Sequence, residues 1–367
     1  MENESRKLAS IQEVVLVEPI EGADRIELAR VLGWHVVVKR DKFQPGDKCI
    51  YFEIDSILPE DNPDFDFLKN SKGRIKHLKT QKIRGVYSQG LVMPLTILDN
   101  IGYTGELEIG TNVTDALKVT KYDPAEVEWH GKSMPNPDKI GDFPSFIIKS
   151  DETRIQAIPD VVAKLDGKLF VTTEKLDGTS FTAFIKDGEV GICSRNMQIK
   201  FDEESENVYN LVANKYDLGN KFKYLRETGK IPFDFGIQGE IIGPGIQKNK
   251  YKLGDYELHL FDFWNVEKQR DIGFFASDDE EEKNVFAGLD LKRASELLGV
   301  PHVPIIEENF IMTKDIDALV NYSMGNSVLN ENTLREGIVF RAKNNKECTK
   351  YDNRVSFKAI NPEFLLK

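Results

Sequence analysis

The sequence predicts an α+β protein: a small all-β module closed as a barrel or sandwich, followed by a larger domain that mixes strands and helices. From residue 8 to residue 105, short apolar and β-branched runs alternate with Gly and Pro turns, the spacing of a small barrel or sandwich. Residues 118–148 then carry Pro135, Pro137 and Pro144 with Gly131 and Gly141, which break any long element. Beyond them, hairpin signals and amphipathic helical patterns occur together, and 367 residues suit two domains better than one.

The elements can be taken in chain order. Residues 34–38 (Trp-His-Val-Val-Val) and 50–54 (Ile-Tyr-Phe-Glu-Ile) read as strands, separated by the turn Gln44-Pro45-Gly46-Asp47. Residues 90–93 close the set. Residues 22–27 (Gly-Ala-Asp-Arg-Ile-Glu), with Val31-Leu32-Gly33-Trp34 after them, resemble the OB-type modules that bind tRNA. Between two strands of this module, residues 72–84 form the densest basic run in the chain, with Ile75, Leu78 and Ile83 interleaved. Such a run is either a phosphate-tracking surface, as OB modules use, or a solvated β-ribbon. Residues 118–148 read as a linker packed through Phe143 and Phe146. In the second domain, residues 181–185, Asp187-Gly188 and residues 189–193 give a strong hairpin signal. Residues 291–298 and 314–324 read as amphipathic helices, the second capped by Thr313. The acidic run 277–283 reads as a solvated surface loop. The expected domains are therefore 1–117, a linker at 118–148, and 149–367.

Composition excludes several classes. No apolar run approaches the roughly 20 residues that span a bilayer, and residues 1–7 lack the apolar core of a signal peptide. Cys49, Cys193 and Cys348 are odd in number and far apart, so neither a disulfide framework nor a zinc site is indicated. A reducing intracellular compartment, cytoplasmic or nuclear, is the expectation. A net charge of −12 argues against a generic nucleic-acid coat but leaves room for an enzyme with a local basic surface. Neither a Rossmann fingerprint nor a P-loop occurs.

The chemistry is carried by Lys175-Leu176-Asp177-Gly178. An amine nucleophile, a carboxylate two residues on and a glycine turn suit attack on a metal-held phosphate. Alone, the tetrapeptide also reads as a β-turn. Its weight comes from an ordered set of downstream motifs: Ser194-Arg195-Asn196, Gln238-Gly239-Glu240, residues 258–263 around Phe261, Arg335-Glu336-Gly337 and Ser356-Phe357-Lys358. Lysine attacks as a neutral amine, yet with a reference pKa of about 10.4 only on the order of one molecule in a few thousand is neutral near pH 7. The site must therefore depress that value, by a divalent metal or a nearby cation. Asp177, Glu240 and Glu336 are the candidates to hold such a metal, directly or through its waters. Lys358 is the candidate cation for the α-phosphate. Arg154 and Arg195 are candidates for ribose, phosphate or a 5′-phosphate strand end, and Phe261 for stacking on a base.

In that order these motifs resemble the covalent nucleotidyltransferases, the polynucleotide ligases and mRNA capping enzymes. Within them the chain looks like an ATP-dependent RNA ligase. Gly239-Glu240 running on to Gly243-Pro244-Gly245-Ile246-Gln247-Lys248 is similar to the RNA ligase form of the glutamate motif, and residues 150–156 to an RNA ligase entry segment. Only residues 359–367 come after Lys358, and the extra module is expected at the N-terminus, as in the fifth RNA ligase family. The resemblance implies an OB-type β-barrel followed by an antiparallel-sheet-based α+β nucleotidyltransferase (ATP-grasp-like ligase) domain. It implies ATP as substrate, with AMP carried on Lys175, and Mg²⁺ or Mn²⁺ at Asp177, Glu240 and Glu336. Glu174, Arg154, Arg195, Phe261 and Lys358 would complete the nucleotide site, with Glu240 touching the ribose. The implied reaction seals 3′-hydroxyl and 5′-phosphate ends of nicked RNA, by a monomer with no membrane partner. A DNA-nick ligase, a capping-type enzyme and a non-catalytic RNA-binding protein are the alternatives. One departure stands out: RNA ligases often show Lys-x-Lys in the last motif, where this chain has Ser356-Phe357-Lys358, leaving Lys350 as a candidate second lysine.

Overall fold

The structure, a computed structural model, describes residues 7–122, 138–274, 280–343 and 355–366. The chain divides into two compact units. One comprises Met1–Ser133 with Ile155–Pro159 and Leu365–Lys367, the other Met134–Arg154 with Asp160–Phe364.

The first unit is built on a five-stranded antiparallel sheet. Its strands are β1 (Ala9–Pro19), β2 (Ile26–Val31), β3 (Trp34–Lys39), β4 (Lys48–Phe52) and β8 (Leu91–Pro94), in the order β3-β2-β1-β4-β8. Alternation along β4 sends Ile50 and Phe52 into one core, with Leu8, Ile11 and Phe65. Cys49 and Tyr51 enter another, with Trp34 and Val36. The sheet is thus buried on both faces, as a curled half-barrel requires. Two short pairs complete the unit: β5 (Ser56–Ile57) with β9 (Thr120–Lys121), and β6 (Gln81–Ile83) with β7 (Val86–Ser88). The basic run does not lie wholly between strands, because its last residues form β6. Ile75 anchors it in the core while Lys72, Arg74, Lys76, Lys79, Lys82 and Arg84 are exposed.

The second unit holds two sheets. The larger contains β10 (Lys139–Asp142), β13 (Thr179–Lys186), β14 (Glu189–Cys193), β15 (Met197–Ile199), β16 (Phe235–Ile242), β17 (Glu257–Asn265) and β18 (Arg270–Ile272), in the order β10-β15-β14-β13-β16-β17-β18. The smaller contains β11 (Thr153–Arg154), β12 (Leu169–Lys175), β19 (Ile305–Ile311), β20 (Gly337–Ala342) and β21 (Ser356–Ile360), in the order β11-β21-β20-β12-β19. All pairs are antiparallel except β11 with β21. The hairpin forms as predicted, with left-handed Asp187 and Gly188 at its turn. Phe181, Ile237, Ile241, Leu258 and Phe263 pack in one core with the helices Val208–Lys215, Leu218–Glu227 and Leu291–Leu298. Phe143 and Phe146 pack on Ile147, Phe184 and Trp264.

Several local expectations are corrected. The last helix begins at Ile316, not Lys314, because Asp315 rather than Thr313 caps it: the Asp315 carboxylate accepts from Ala318 N at 3.0 Å. The part of the acidic run that is described, Glu280 onward, opens the helix Glu280–Phe286 instead of a loop. Residues 277–279, Pro135, Pro137, Gly131, Cys348 and Lys350 lie outside the described residues. Cys49 and Cys193 are buried free thiols, both pushed up to about 12 chiefly by burial, which makes them inert core groups. Among the described residues no helix is long and apolar enough to cross a membrane.

Gly337 allows β20 to sit between β12 and β21. A Cβ there would strike the Ala359 carbonyl oxygen and come within 3.0 Å of Ile360 Cα. Gly337→Ala is expected to destabilise the protein by about 1–3 kcal/mol, read from chemical denaturation. Gly254→Ala, with nothing within 4 Å of the new methyl, is the matched control and should leave the midpoint nearly unchanged.

Candidate active site

Two ladders assemble the site. Lys175 ends β12 opposite Gly337, and Glu336 immediately precedes that glycine. The register therefore sets the contact: Lys175 Nζ donates to Glu336 Oε2 at 2.7 Å. The chain then turns through buried Leu176 into β13, which pairs with β16 and places Ser180 opposite Glu240. Three groups fasten the turn. Gly178 N donates to Glu240 Oε1 at 3.0 Å. Asp177 N donates to the Tyr251 hydroxyl at 2.8 Å. The Asp177 carboxylate is paired with the Lys250 ammonium. A Cβ on Gly178 would meet the Ile241 carbonyl, so only glycine fits this approach.

The electrostatics run against attack. Burial works to discharge Lys175, but Glu336, Glu240 and Asp177 together outweigh it and hold the ammonium above the usual lysine value. The protein's own side chains thus stabilise the charged form; the depression expected of the site comes from a bound metal or a cation, not from these carboxylates. The carboxylates show the complementary effect. Burial, with Glu336 and Asp177 adding, pushes Glu240 up to about 7 against the pull of Lys175. Burial also raises Glu336, again against Lys175. Glu174 is raised by burial although its Oε2 accepts from Val328 N at 2.7 Å.

The cations come from the smaller sheet and from the turn after β14. β11 runs parallel to β21 with Arg154 partnering Lys358. Lys358 Nζ donates to Asp151 Oδ1 at 3.1 Å, and Arg195 Nη2 lies 3.6 Å from the other Asp151 oxygen. Burial pushes Lys358 down to about 8; Asp151 opposes this, while Lys175 and Arg154 add to it. Phe261 is the extra residue at a bulge, since Gln238 pairs Asp262 and Gly239 pairs Leu260. The bulge leaves Phe261 partly exposed at the edge of the core, on the strand beside Glu240.

Lys175, Asp177, Glu240, Glu336, Lys358 and Arg154 are therefore gathered into one field, with Arg195 joined to it through Asp151 and Glu174 beneath Lys175. Lys250, Tyr251 and Asp151 went unassigned from sequence. The first two directly succeed the glutamate motif, and Asp151 lies in the entry segment, but only the folded contacts give them partners. Among the described residues no three His, Cys, Asp or Glu converge as a metal cage.

Residues 168–360 match the RNA ligase family, and residues 8–95 match an OB-fold domain. The chain belongs to the RNA ligase family. Among solved structures, the Naegleria gruberi RNA ligase with PPi is 31% identical, with 98% of each chain covered and a TM-score of 0.79. Mutants of the same ligase with AMP and Mn, and with ATP and Mn, are each 30% identical over 98% of both chains, at TM-scores of 0.79. No curated protein matches. This RNA ligase thus carries its transferase motifs in the matched span, behind an OB-fold module.

A phosphate contact made by the Lys358 ammonium has a definite pH dependence. The folded value, about 8, lies below the usual one, so the cation is present below that pH and lost as pH rises through it. Titration of AMP into the wild-type protein should show affinity falling through about pH 8. Lys358→Arg, charged throughout, should flatten that fall.

Proposed function

We propose that this RNA ligase uses ATP to seal 3′-hydroxyl and 5′-phosphate RNA ends through AMP carried on Lys175. The supporting observation is the Lys175–Glu336 contact at 2.7 Å, set by the β12–β20 ladder and surrounded by Glu240 and Asp177. Lys175 attacks the α-phosphorus, a P–N bond forms, and pyrophosphate leaves. The AMP passes to an RNA 5′-phosphate, freeing the lysine. A 3′-hydroxyl then attacks that activated end, AMP departs, and a phosphodiester results.

The chain's residues divide the work. Glu336 holds Lys175 at the strand end and is the nearest acceptor for the proton the amine must lose. Lys358 and Arg154 offset charge that develops on the α-phosphate. Phe261 stacks on adenine from the bulge, and Glu240 touches the ribose. Arg195 meets the phosphate of the nucleotide or of the RNA end.

Asp177, Glu240 and Glu336 all act on Lys175 but, among the described residues, do not converge as a cage, so they would hold a divalent cation largely through its waters and the phosphate. When bound, Mg²⁺ or Mn²⁺ supplies charge that lowers the lysine pKa and neutralises phosphate.

The exposed basic residues of 72–84 are the proposed RNA surface of the first unit. Among the described residues Lys72, Arg74, Lys76, Lys79 and Arg84 form no ion pair, so their charge is available to phosphate. His77 stacks on Tyr122 at 3.6 Å between ring centroids, which stiffens the run.

Incubation with α-phosphate-labelled ATP and Mn²⁺, followed by a denaturing gel, tests the nucleophile. Wild type should retain label and Lys175→Ala should retain none; label on the variant would move the nucleophile elsewhere, and no label on wild type would favour a non-catalytic RNA-binding protein. Lys76→Ala with Lys79→Ala should leave that labelling intact. It should flatten the salt dependence of RNA binding, lowering the log–log slope by about 1.4 for two lost single-strand contacts.

A further inference from the structure

The segment between β16 and β17 has a backbone that ordinary sequences avoid. Gln247, Lys248 and Asn249 are consecutive left-handed residues at φ of 43°, 61° and 47°, and Lys252 is left-handed too, at 56°. Residues with a Cβ adopt this conformation singly and at a cost, so a run of them persists only where surrounding contacts over-determine it. Those contacts are present. The Asn249 side chain accepts from Leu253 N at 3.0 Å and donates to Leu253 O at 2.9 Å. Asn330 Nδ2 donates to Lys250 O at 2.9 Å.

All of this aims one face of the segment at the turn after Lys175. Tyr251 accepts from Asp177 N, and Gln247 Nε2 reaches Gly178 O at 3.5 Å. The Lys250 ammonium sits on the Asp177 carboxylate and, on its other side, 3.9 Å from the Phe364 ring centroid. A strained loop, a ring and a side-chain amide thus serve to hold one cation on one carboxylate.

We propose that Lys250 is an ammonium latch on Asp177, a positioning residue that keeps this carboxylate fixed and yields it to a divalent cation. The inference rests on the reading that the ligase works with such a cation. Lys250 brings a single charge and occupies Asp177 Oδ2, an oxygen that a doubly charged ion would use, so the two compete for Asp177. When displaced, its ammonium keeps the face of Phe364 as a partner, which lets the exchange occur without stranding a charge. The latch also gives Asp177 a cationic partner other than Lys175 while no divalent ion is bound.

The test is Mn²⁺ binding to nucleotide-free protein, monitored by the electron paramagnetic resonance signal of free Mn²⁺. Lys250→Met should bind Mn²⁺ about fivefold more tightly, the order expected when a competing, partly buried ion pair is removed. Lys250→Arg should stay near wild type. In an Asp177→Asn background the gain from Lys250→Met should vanish. Unchanged or weaker Mn²⁺ binding by Lys250→Met overturns the latch, as does an equal gain without Asp177, which would mean a general field effect. Should Lys250→Met fail to fold, Lys250→Gln removes the same charge while keeping a polar end, and no gain in that variant overturns the proposal as well. The binding measurement needs no ATP, so it separates from the labelling result. A wild type that takes no label but shows this Mn²⁺ pattern keeps the latch and loses the ligase mechanism; label without the pattern does the reverse.

Discussion

The contact between Lys175 and Glu336 is the constraint on which the site turns. A buried ammonium is tolerated only beside a carboxylate, and here the carboxylate arrives from the next strand in register, not from a mobile loop. The pair is stable because both partners are partly withdrawn from water and because Glu240 and Asp177 add to the same field. The consequence is an ammonium held in its charged form by the protein's own side chains. On the proposed mechanism the amine loses its proton once a divalent cation and nucleotide bring in further positive charge.

The field around that contact, to which β16 of the larger sheet contributes Glu240, in turn requires the two sheets of the second unit to be held in fixed relation. A buried ion pair does this. Arg341, on the same strand as Gly337, pairs with Asp262, next to the bulge at Phe261, and has Glu152 at 3.6 Å from its other terminal nitrogen. Asp262 is fully buried and Arg341 nearly so. Removing either partner would leave a charge without compensation inside the protein, which costs far more than the pair contributes when intact. One interaction thus ties the expected adenine platform, the strand of Glu336 and the segment leading to Arg154. Gly178 and Gly337 serve the same end by letting backbone approach backbone where a methyl would collide.

Much of this was legible in the sequence, for physical reasons that differ by element. The hairpin at Asp187-Gly188 was visible because a two-residue turn with positive φ leaves a local signature. The candidate residues could be picked out because their types and order are those such a reaction asks for; the fold brings them together from different places, Lys175 at the end of β12 and Glu240 and Lys358 inside β16 and β21. Expectation and structure part where a contact is made across the chain. Lys250 and Asp151 look like surface charges in their own neighbourhoods, and only the fold puts them on Asp177 and Lys358. The same holds for the Lys175 pKa. The sequence marks Asp177, Glu240 and Glu336 as metal candidates, and only the fold shows them together raising the bare lysine. The cap of the last helix went to Asp315 instead of Thr313 because both are good caps and local preference cannot choose between neighbours.

The departure in the last motif can be argued through on the same terms. Ser356 stands where related enzymes often place a second lysine, and its strand partner on β20 is Arg341. An arginine opposite that serine is the obvious replacement for the missing charge, but its guanidinium is already committed to Asp262 and Glu152. On the proposed mechanism, among the described residues, the α-phosphate then relies on Lys358 with Arg154, its strand neighbour across the parallel β11–β21 pair. Burial holds Lys358 near the edge of its charged range, so the arriving phosphate and the lysine stabilise each other's charge. Among the described residues the contact then weakens as pH rises through about 8, with the permanently charged Arg154 left beside it.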